Sequence, residues 1–257
     1  MRGVVTDARE ECKMAIDTVL DPPAGLATAT AHVNPQPEIT YPESDGMPMA
    51  DNTRQFRYIV TIQGGLDALF KDDPTVFVAG DLLWYPVEGN NQLRVAPDVL
   101  VAFGRPKGDR GSYLQWREGN IAPQVVFEVL SPGNTLLEMT RKLRFYERYG
   151  VEEYYVYDPD RGELAGWQRV GESLEEIMQI EGWISPRLGV RFNLEGADLV
   201  LTRPDGRRFE TFVELTARAE AERQRAEAER QRAEAERQRA ERLAARLRAL
   251  GVDPAEL

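Results

Sequence analysis

Histidine and cysteine are almost absent: the 257 residues hold one of each, His32 and Cys12. One cysteine excludes a disulfide framework and a cysteine-rich zinc site, and one histidine excludes chemistry built on a histidine pair. His32 lies in a proline-rich stretch, AHVNPQPEITYPESDGMP, a poor platform for a rigid Ser/His or Cys/His triad. Lysine is also scarce, found only at positions 13, 71, 107 and 142 of an arginine-rich chain. No apolar run approaches the roughly 20 residues of a membrane-spanning helix, and the first residues lack the apolar segment of a signal peptide, so a cytoplasmic chain with no membrane partner is expected. Any catalysis here must run on carboxylates, lysine, arginine and a metal ion.

The net charge of -11 argues against a protein that simply coats nucleic acid, since such proteins gather cations to displace counterions from phosphate. The charge is unevenly spread. Residues 1–50 hold 8 acids and 3 bases, residues 51–210 hold 25 and 19, and residues 211–257 hold 10 and 10. Carboxylates that bind divalent cations would lower the effective charge of the middle segment further.

Three segments follow from pattern. Residues 1–50 form a lead segment whose prolines at 22, 23, 35, 37, 42 and 48 prevent continuous helix or sheet, so it drapes over the core or stays mobile. Residues 51–210 are the core. Asp51 or Asn52 caps a helix running to Phe70, with Phe56, Ile59, Val60, Leu66 and Leu69 at near-helical spacing. TVFVAGDLLWYP and LRVAPDVLVAFG read as a hairpin or adjacent strands. A polar loop, GRPKGDRGSYLQWREGN, leads to the strand PQVVFEVL, the turn SPGNT and the helix LLEMTRKLRFYERY. EEYYVYDP is a fourth strand, and ELAGWQRV with SLEEIMQI a further hairpin. The fold class is thus α/β, a mixed α+β sheet flanked by helices. Residues 211–257 carry a seven-residue repeat of AEAERQR, a long charged helix of about 60 Å at 1.5 Å per residue. Its seam of Ala221, Gln224, Ala228, Gln231, Ala235 and Gln238 specifies a coiled coil weakly, until Leu243, Leu247 and Leu250. A solvated single helix and a paired one both fit; a homo-oligomer, a dimer, is the expectation carried forward.

The chemistry centres on Glu128. It interrupts an apolar strand, and a carboxylate buried there without a partner costs several kcal/mol by rough estimate. Period two puts Val126, Glu128 and Leu130 on one face, and Asp98 shares a face with Leu100 and Ala102. If the two strands are neighbours, one register sets Asp98 beside Glu128, and a hard ion such as Mg²⁺ (or Mn²⁺) would relieve their repulsion. Alternatively Asp98 ends a turn and Glu128 pairs with an arginine. Lys142 sits at the margin of a stripe formed by Leu136, Met139, Leu143 and Tyr146, from which it could reach the sheet or simply snorkel to solvent. Thr135 and Glu138 have capping-box spacing. Ser131 and Asn134 suit a turn, and either could also hydrogen-bond a phosphate or a metal-bound water. Arg105, Lys107, Arg110 and Arg117, with Tyr113 and Trp116 among them, are either nucleic-acid contacts or an ordinary solvated loop.

Taken together, PDVLVAF at 97–103, PQVVFEVLSPGNT at 123–135, the lysine of RKLRFYERYGVEEYYVYDP and the later GWISPRLGVRF resemble the Uma-two-type family of putative restriction endonucleases, of the PD-(D/E)XK nuclease superfamily. The resemblance covers about Tyr41 to Leu215. It implies a restriction-endonuclease-like αβββαβ core, with Asp98 and Glu128 as metal-binding acids and DNA as substrate. Two residues after Glu128 the superfamily carries lysine, whereas this chain has Leu130; Lys142 would take that role from the helix. The first-helix position of the family falls on Asn52 or Gln55, neither an acid. The resemblance implies metal-assisted hydrolysis of DNA phosphodiester bonds. Two readings stand beside it: a catalytically silent nuclease-fold scaffold that assembles through its C-terminal helix, and a metal-dependent hydrolase of another phosphorylated substrate.

Overall fold

The structure, a computed structural model, describes residues 39–250 apart from Asp45 and Met47. Most of the proline-rich lead segment, with Cys12 and His32, lies outside the described residues. Where residues 39–43 are seen, they pack on the core: Tyr41 meets the rings of Tyr85 and Trp116 at 5.3 and 5.0 Å, and the Tyr85 hydroxyl donates to the Pro42 carbonyl at 2.8 Å.

The elements run α1 (Thr53–Leu69), β1 (Val76–Gly80), β2 (Trp84–Tyr85), β3 (Val99–Phe103), β4 (Tyr113–Leu114), a 3-10 turn (Gln115–Glu118), β5 (Val125–Val129), α2 (Leu136–Tyr149), β6 (Glu153–Asp158), β7 (Glu163–Val170), β8 (Ser173–Glu176), β9 (Arg191–Glu195), β10 (Asp198–Thr202) and α3 (Phe212–Ala249). Six strands form one mixed sheet in the order β1-β3-β5-β6-β7-β8, with β5 and β6 parallel and the other pairs antiparallel. The crossover between the parallel strands is α2, as a parallel connection requires. The expected α/β architecture is therefore present, though the pairing differs in detail. TVFVAGDLLWYP does not form one strand: β1 pairs with β3, whereas β2 turns away and pairs in parallel with β4 inside the polar loop.

β5 is central, and all five of its residues are buried. Its odd-numbered side chains join the core beneath α1, where Ile59, Ile62 and Leu66 meet Val99, Val101, Val125, Phe127 and Val129. On the other face Val126 joins Leu100, Ala102, Tyr146, Tyr154 and Trp84 beneath α2. Helix α1 starts at its Asn52 cap, but Phe56 and Val60 lie on its exposed side, 48% and 41% accessible, so its buried stripe is narrower than the sequence pattern. In α2 the Thr135 cap is formed, yet Leu136 is 85% exposed and drops out of the expected stripe. The helix ends at Gly150, whose left-handed backbone (φ 95°) returns its N–H to the Tyr146 carbonyl, a conformation costly for any residue with a Cβ.

The β9–β10 hairpin seals the α1 side through Phe192 and Leu201. A second buried carboxylate ties the approach to this hairpin to the sheet. Glu153 accepts hydrogen bonds from the Arg187 N–H at 2.8 Å, from the Tyr155 hydroxyl at 3.0 Å and from the Ser185 hydroxyl. Helix α3 begins with a capping box between Thr211 and Glu214 and runs 38 residues, about 57 Å at 1.5 Å per residue, with no buried residue. No described helix is long and apolar enough to cross a membrane.

Burial pushes the Glu153 carboxyl above its ordinary 4.5, and its three hydrogen bonds offset this only in part. A carboxyl whose folded value is raised contributes stability that is full below the unfolded value and lost as pH rises through the folded one. Glu153→Gln removes that dependence. Denaturant unfolding of both proteins at pH 4 and pH 8 should show the variant gaining on the wild type at the higher pH; a gap that does not change with pH would refute the assignment.

Candidate active site

The register between β3 and β5 sets Val99 opposite Phe127 and Leu100 opposite Val126. One step further along the same antiparallel ladder, Asp98 comes opposite Glu128. Asp98 is fixed there by the main chain, its Oδ2 accepting from the Val129 N–H at 2.6 Å. Glu128 is 3% exposed on the α2 face, so its charge must be met by the helix. Two residues one turn apart on α2 do this. Lys142 Nζ donates to Glu128 Oε2 at 2.8 Å, and the Tyr146 hydroxyl donates to Oε1 at 2.5 Å. The sequence-predicted trio of Asp98, Glu128 and Lys142 is therefore gathered at one point at the C-terminal end of β5.

The electrostatics assign protons. Burial and the neighbouring Glu128 charge hold the Asp98 carboxyl well above the usual range, and the Val129 N–H and Lys142 pull it back only partly. For Lys142, burial opposes the charged form, but the Glu128 charge and hydrogen bond, with Asp98, outweigh it and leave the ammonium's pKa above its ordinary value. Lys142 is thus a fixed cation and no general base near neutral pH. Burial and Glu128 likewise keep the Tyr146 phenol protonated, as a donor.

A second layer comes from α1 and the loop after β5. Gln55, buried, donates from Nε2 to the Val129 carbonyl at 2.8 Å, while its Oε1 accepts from the Asp51 N–H at 2.8 Å. Asn52 caps α1 by accepting from the Gln55 N–H at 2.9 Å. Of the two first-helix candidates, then, Gln55 reaches the strand of the site and Asn52 does not. The Ser131 hydroxyl donates to Asp51, the Ser131 N–H donates to Asn134 Oδ1 at 2.8 Å, and Asn134 Nδ2 donates to Glu138 at 3.2 Å. Ser131 and Asn134 therefore shape the turn beside the centre. Tyr146 was legible only as part of the apolar stripe, because nothing local marks a stripe tyrosine whose hydroxyl meets a buried acid.

The polar loop lies elsewhere. It follows the far end of β3, roughly 20 Å from Asp98 at about 3.3 Å per strand residue. Arg105 and Arg110 both bind Glu118, at 2.9 and 2.7 Å, and Arg110 also lies 3.9 Å over the Phe77 ring. Lys107 pairs with Asp67 at 3.2 Å, and Arg117 is exposed on the 3-10 turn. The structure does not bring these four cations to the acids. Arg105 and Arg110 instead tie the loop to itself through Glu118, and Arg110 also packs it on Phe77 of β1.

Among the described residues no group of three or more His, Cys, Asp or Glu side chains is placed to hold a metal ion. Two facing carboxylates nevertheless suit a hard cation of the Mg²⁺ type, which keeps several waters and needs only one or two carboxylates from the protein. Burial first and the Glu128 charge second raise the Asp98 pKa, and a cation between the acids would relieve the second of these.

No protein of curated function matches the chain. A crystal structure of a putative nuclease of the DUF820 family from Anabaena variabilis is similar in part, with a TM-score of 0.40, 15% identity, and coverage of 55% of this chain and 73% of that one. The family model described as Uma2, putative restriction endonuclease, matches residues 44–202, which span both acids, Lys142 and the whole six-stranded sheet. The chain belongs to the Uma2 family.

Proposed function

We propose that this protein is a metal-dependent endonuclease that hydrolyses DNA phosphodiester bonds at Asp98, Glu128 and Lys142. The observation that carries the reading is the buried Glu128 held at 2.8 Å by a lysine from the following helix, opposite a second carboxylate on the neighbouring strand. Asp98 and Glu128 would hold Mg²⁺ or Mn²⁺, which supplies Lewis acidity toward a phosphate oxygen and a more acidic bound water. The protein's own residues do the positioning. The Val129 N–H orients Asp98, Tyr146 orients Glu128, and Gln55 fixes the strand between them through the Val129 carbonyl. Lys142, charged throughout, faces the negative charge that grows on the phosphoryl oxygens as the bond to the leaving oxygen lengthens. Ser131 and Asn134 lie at the edge of the centre, where a phosphate oxygen could take a hydrogen bond from their loop.

Supercoiled plasmid with Mg²⁺ or Mn²⁺ tests this directly. The wild type should nick or linearise it, and chelation should stop the reaction. Asp98→Ala, Glu128→Gln and Lys142→Ala should each lose about 100-fold or more, the scale of removing one transition-state stabiliser. Equal cleavage by all four proteins would sink the centre. No cleavage by the wild type would favour the silent scaffold.

Assembly belongs to α3. Among the described residues none of its 38 is buried, and Leu243 and Leu250 stand 53% and 73% exposed near its end. The helix pairs with a second copy of itself to form a dimer. Sedimentation of the full chain should give twice the mass per chain, and a chain ending at Glu210 should sediment as a monomer; equal association states for the two would rule out α3 as the assembly element.

A further inference from the structure

A cleft of about 670 Å³ opens beside the acids, between α2 and the strands β6 and β7. One wall is Met139 and Leu143 of α2, and the other is Tyr154, Val156 and Trp167. Two connections make the cleft continuous with the proposed centre. Val156 is the direct register partner of Glu128, and Leu130 and Ser131, two and three residues along the chain from the acid, also line the cleft. On the helix, Met139 and Leu143 flank Lys142 within one turn.

The shape and chemistry of the two walls are specific. Tyr154 and Trp167 are paired across the sheet and stacked, with ring centroids 5.2 Å apart and planes 24° from parallel. Trp167 keeps part of its surface exposed, so the aromatic wall is not closed off. Tyr154 is 1% exposed, and its hydroxyl is buried without a hydrogen-bond partner, although a buried hydroxyl ordinarily has one. The Tyr154 ring lies 4.9 Å from that of Tyr146, whose hydroxyl donates to Glu128, so Tyr154 stands on the side of the cleft toward the acids. The rim is polar, with Ser131, Asn134 and Asp158, and Arg161 is its one cation among the lining residues.

A cleft with an aliphatic wall, an aromatic wall and one orphaned hydroxyl among its lining residues fits a planar heterocycle that carries acceptor atoms on its edge. It fits a phosphate poorly, having one exposed arginine that already pairs with Asp158 and Glu163. A base inside a duplex could not enter, because its faces are covered by its neighbours; a base in single-stranded or unpaired nucleic acid could. We propose that this cleft is a base-binding subsite that takes an unpaired nucleobase next to the scissile phosphodiester, so that the enzyme acts on single-stranded or locally unpaired nucleic acid. The inference rests on the nuclease reading for its choice of ligand. The Tyr154 hydroxyl donates to the base edge, and the base lies against Trp167 on one side and Met139 on the other.

The test uses the full-length protein and equilibrium binding of fluorescent oligonucleotides in Ca²⁺, so that turnover does not intervene. The probes are single-stranded oligo-dT, an abasic strand of the same length, and a blunt duplex. Oligo-dT should bind about fivefold or more tighter than the abasic strand, the fold-change expected for one stacked base, and tighter than the duplex. Trp167→Leu and Met139→Ala, on different elements, should each shrink the preference for oligo-dT over the abasic strand while leaving binding of the abasic strand in place. Equal binding of oligo-dT and abasic strand by the wild type overturns the proposal without reference to any variant, and so does a preference for duplex or no binding of any probe. The two readings fail separately. Plasmid cleavage with no base preference removes the subsite and keeps the nuclease, whereas base preference without cleavage by the wild type removes the nuclease and keeps the subsite.

Discussion

The hydrogen-bonded charge pair between Glu128 and Lys142 is the constraint on which the centre of the molecule depends. Glu128 stands in the middle strand of the sheet, 3% exposed, where an uncompensated carboxylate would not persist in its charged form. Both compensating groups come from α2, Lys142 and Tyr146, so the helix has one rotational setting and one height over the sheet that satisfy the acid. That setting propagates. The Tyr146 ring stacks on Trp84 at 6.3 Å, and Trp84 in turn meets Phe145 and Tyr149 and donates from its indole to Gln115 at 3.0 Å. The small β2–β4 pair is thereby locked to the same helix. Breaking a buried pair by removing one partner costs about 3–5 kcal/mol in general, enough to loosen a domain of ordinary stability. A feature this costly to keep and this damaging to break is poorly explained by stability alone.

The charge count at the centre points the same way. Two carboxylates against one ammonium leave one excess negative charge when both acids are ionised, and the Glu128 charge adds to burial in raising the Asp98 pKa. A phosphodiester, itself anionic, would be repelled from such a site. A divalent cation held between the acids reverses the sign, and under the proposed function this reversal is what admits the substrate. The chain's overall acidity and a nucleic-acid substrate are then compatible, because the attraction that matters is local and supplied by the ion.

Much of this was legible in the sequence because it depends on period and register. The alternation through PQVVFEVL put Glu128 and Val126 on one face, and the position of Asp98 relative to Leu100 followed from the same rule; the two strands then proved to be neighbours in the register that brings the acids together. Thr135 read correctly as a helix cap. What stayed hidden depends on long-range pairing. Arg105 and Arg110 are cations in a polar loop by sequence, and only the fold shows that Glu118 takes both. A two-residue parallel pair such as β2–β4 has no periodicity to read. Gln55 is an ordinary helix residue until the Val129 carbonyl is seen within its reach, and Leu136 has the right spacing for the core but stands exposed in the first turn of α2.

The absence of a lysine two residues after Glu128 takes on a different meaning in this setting. A side chain at position 130 projects to the same face as Glu128, but it lies one step further along the strand, where it lines the cleft with Tyr154, Val156 and Trp167. A lysine there would put an ammonium into an apolar slot and cost its desolvation. Leu130 keeps the slot apolar, and the cation the acid requires arrives from the opposite wall, one helical turn beyond Met139. Under the proposed function and the base-binding proposal, the lysine on α2 and the apolar cleft are two consequences of one arrangement: carrying the charge on α2 leaves the strand side free for an uncharged group. Under the base-binding proposal, the residue that departs from the superfamily pattern is the one that makes room for the substrate.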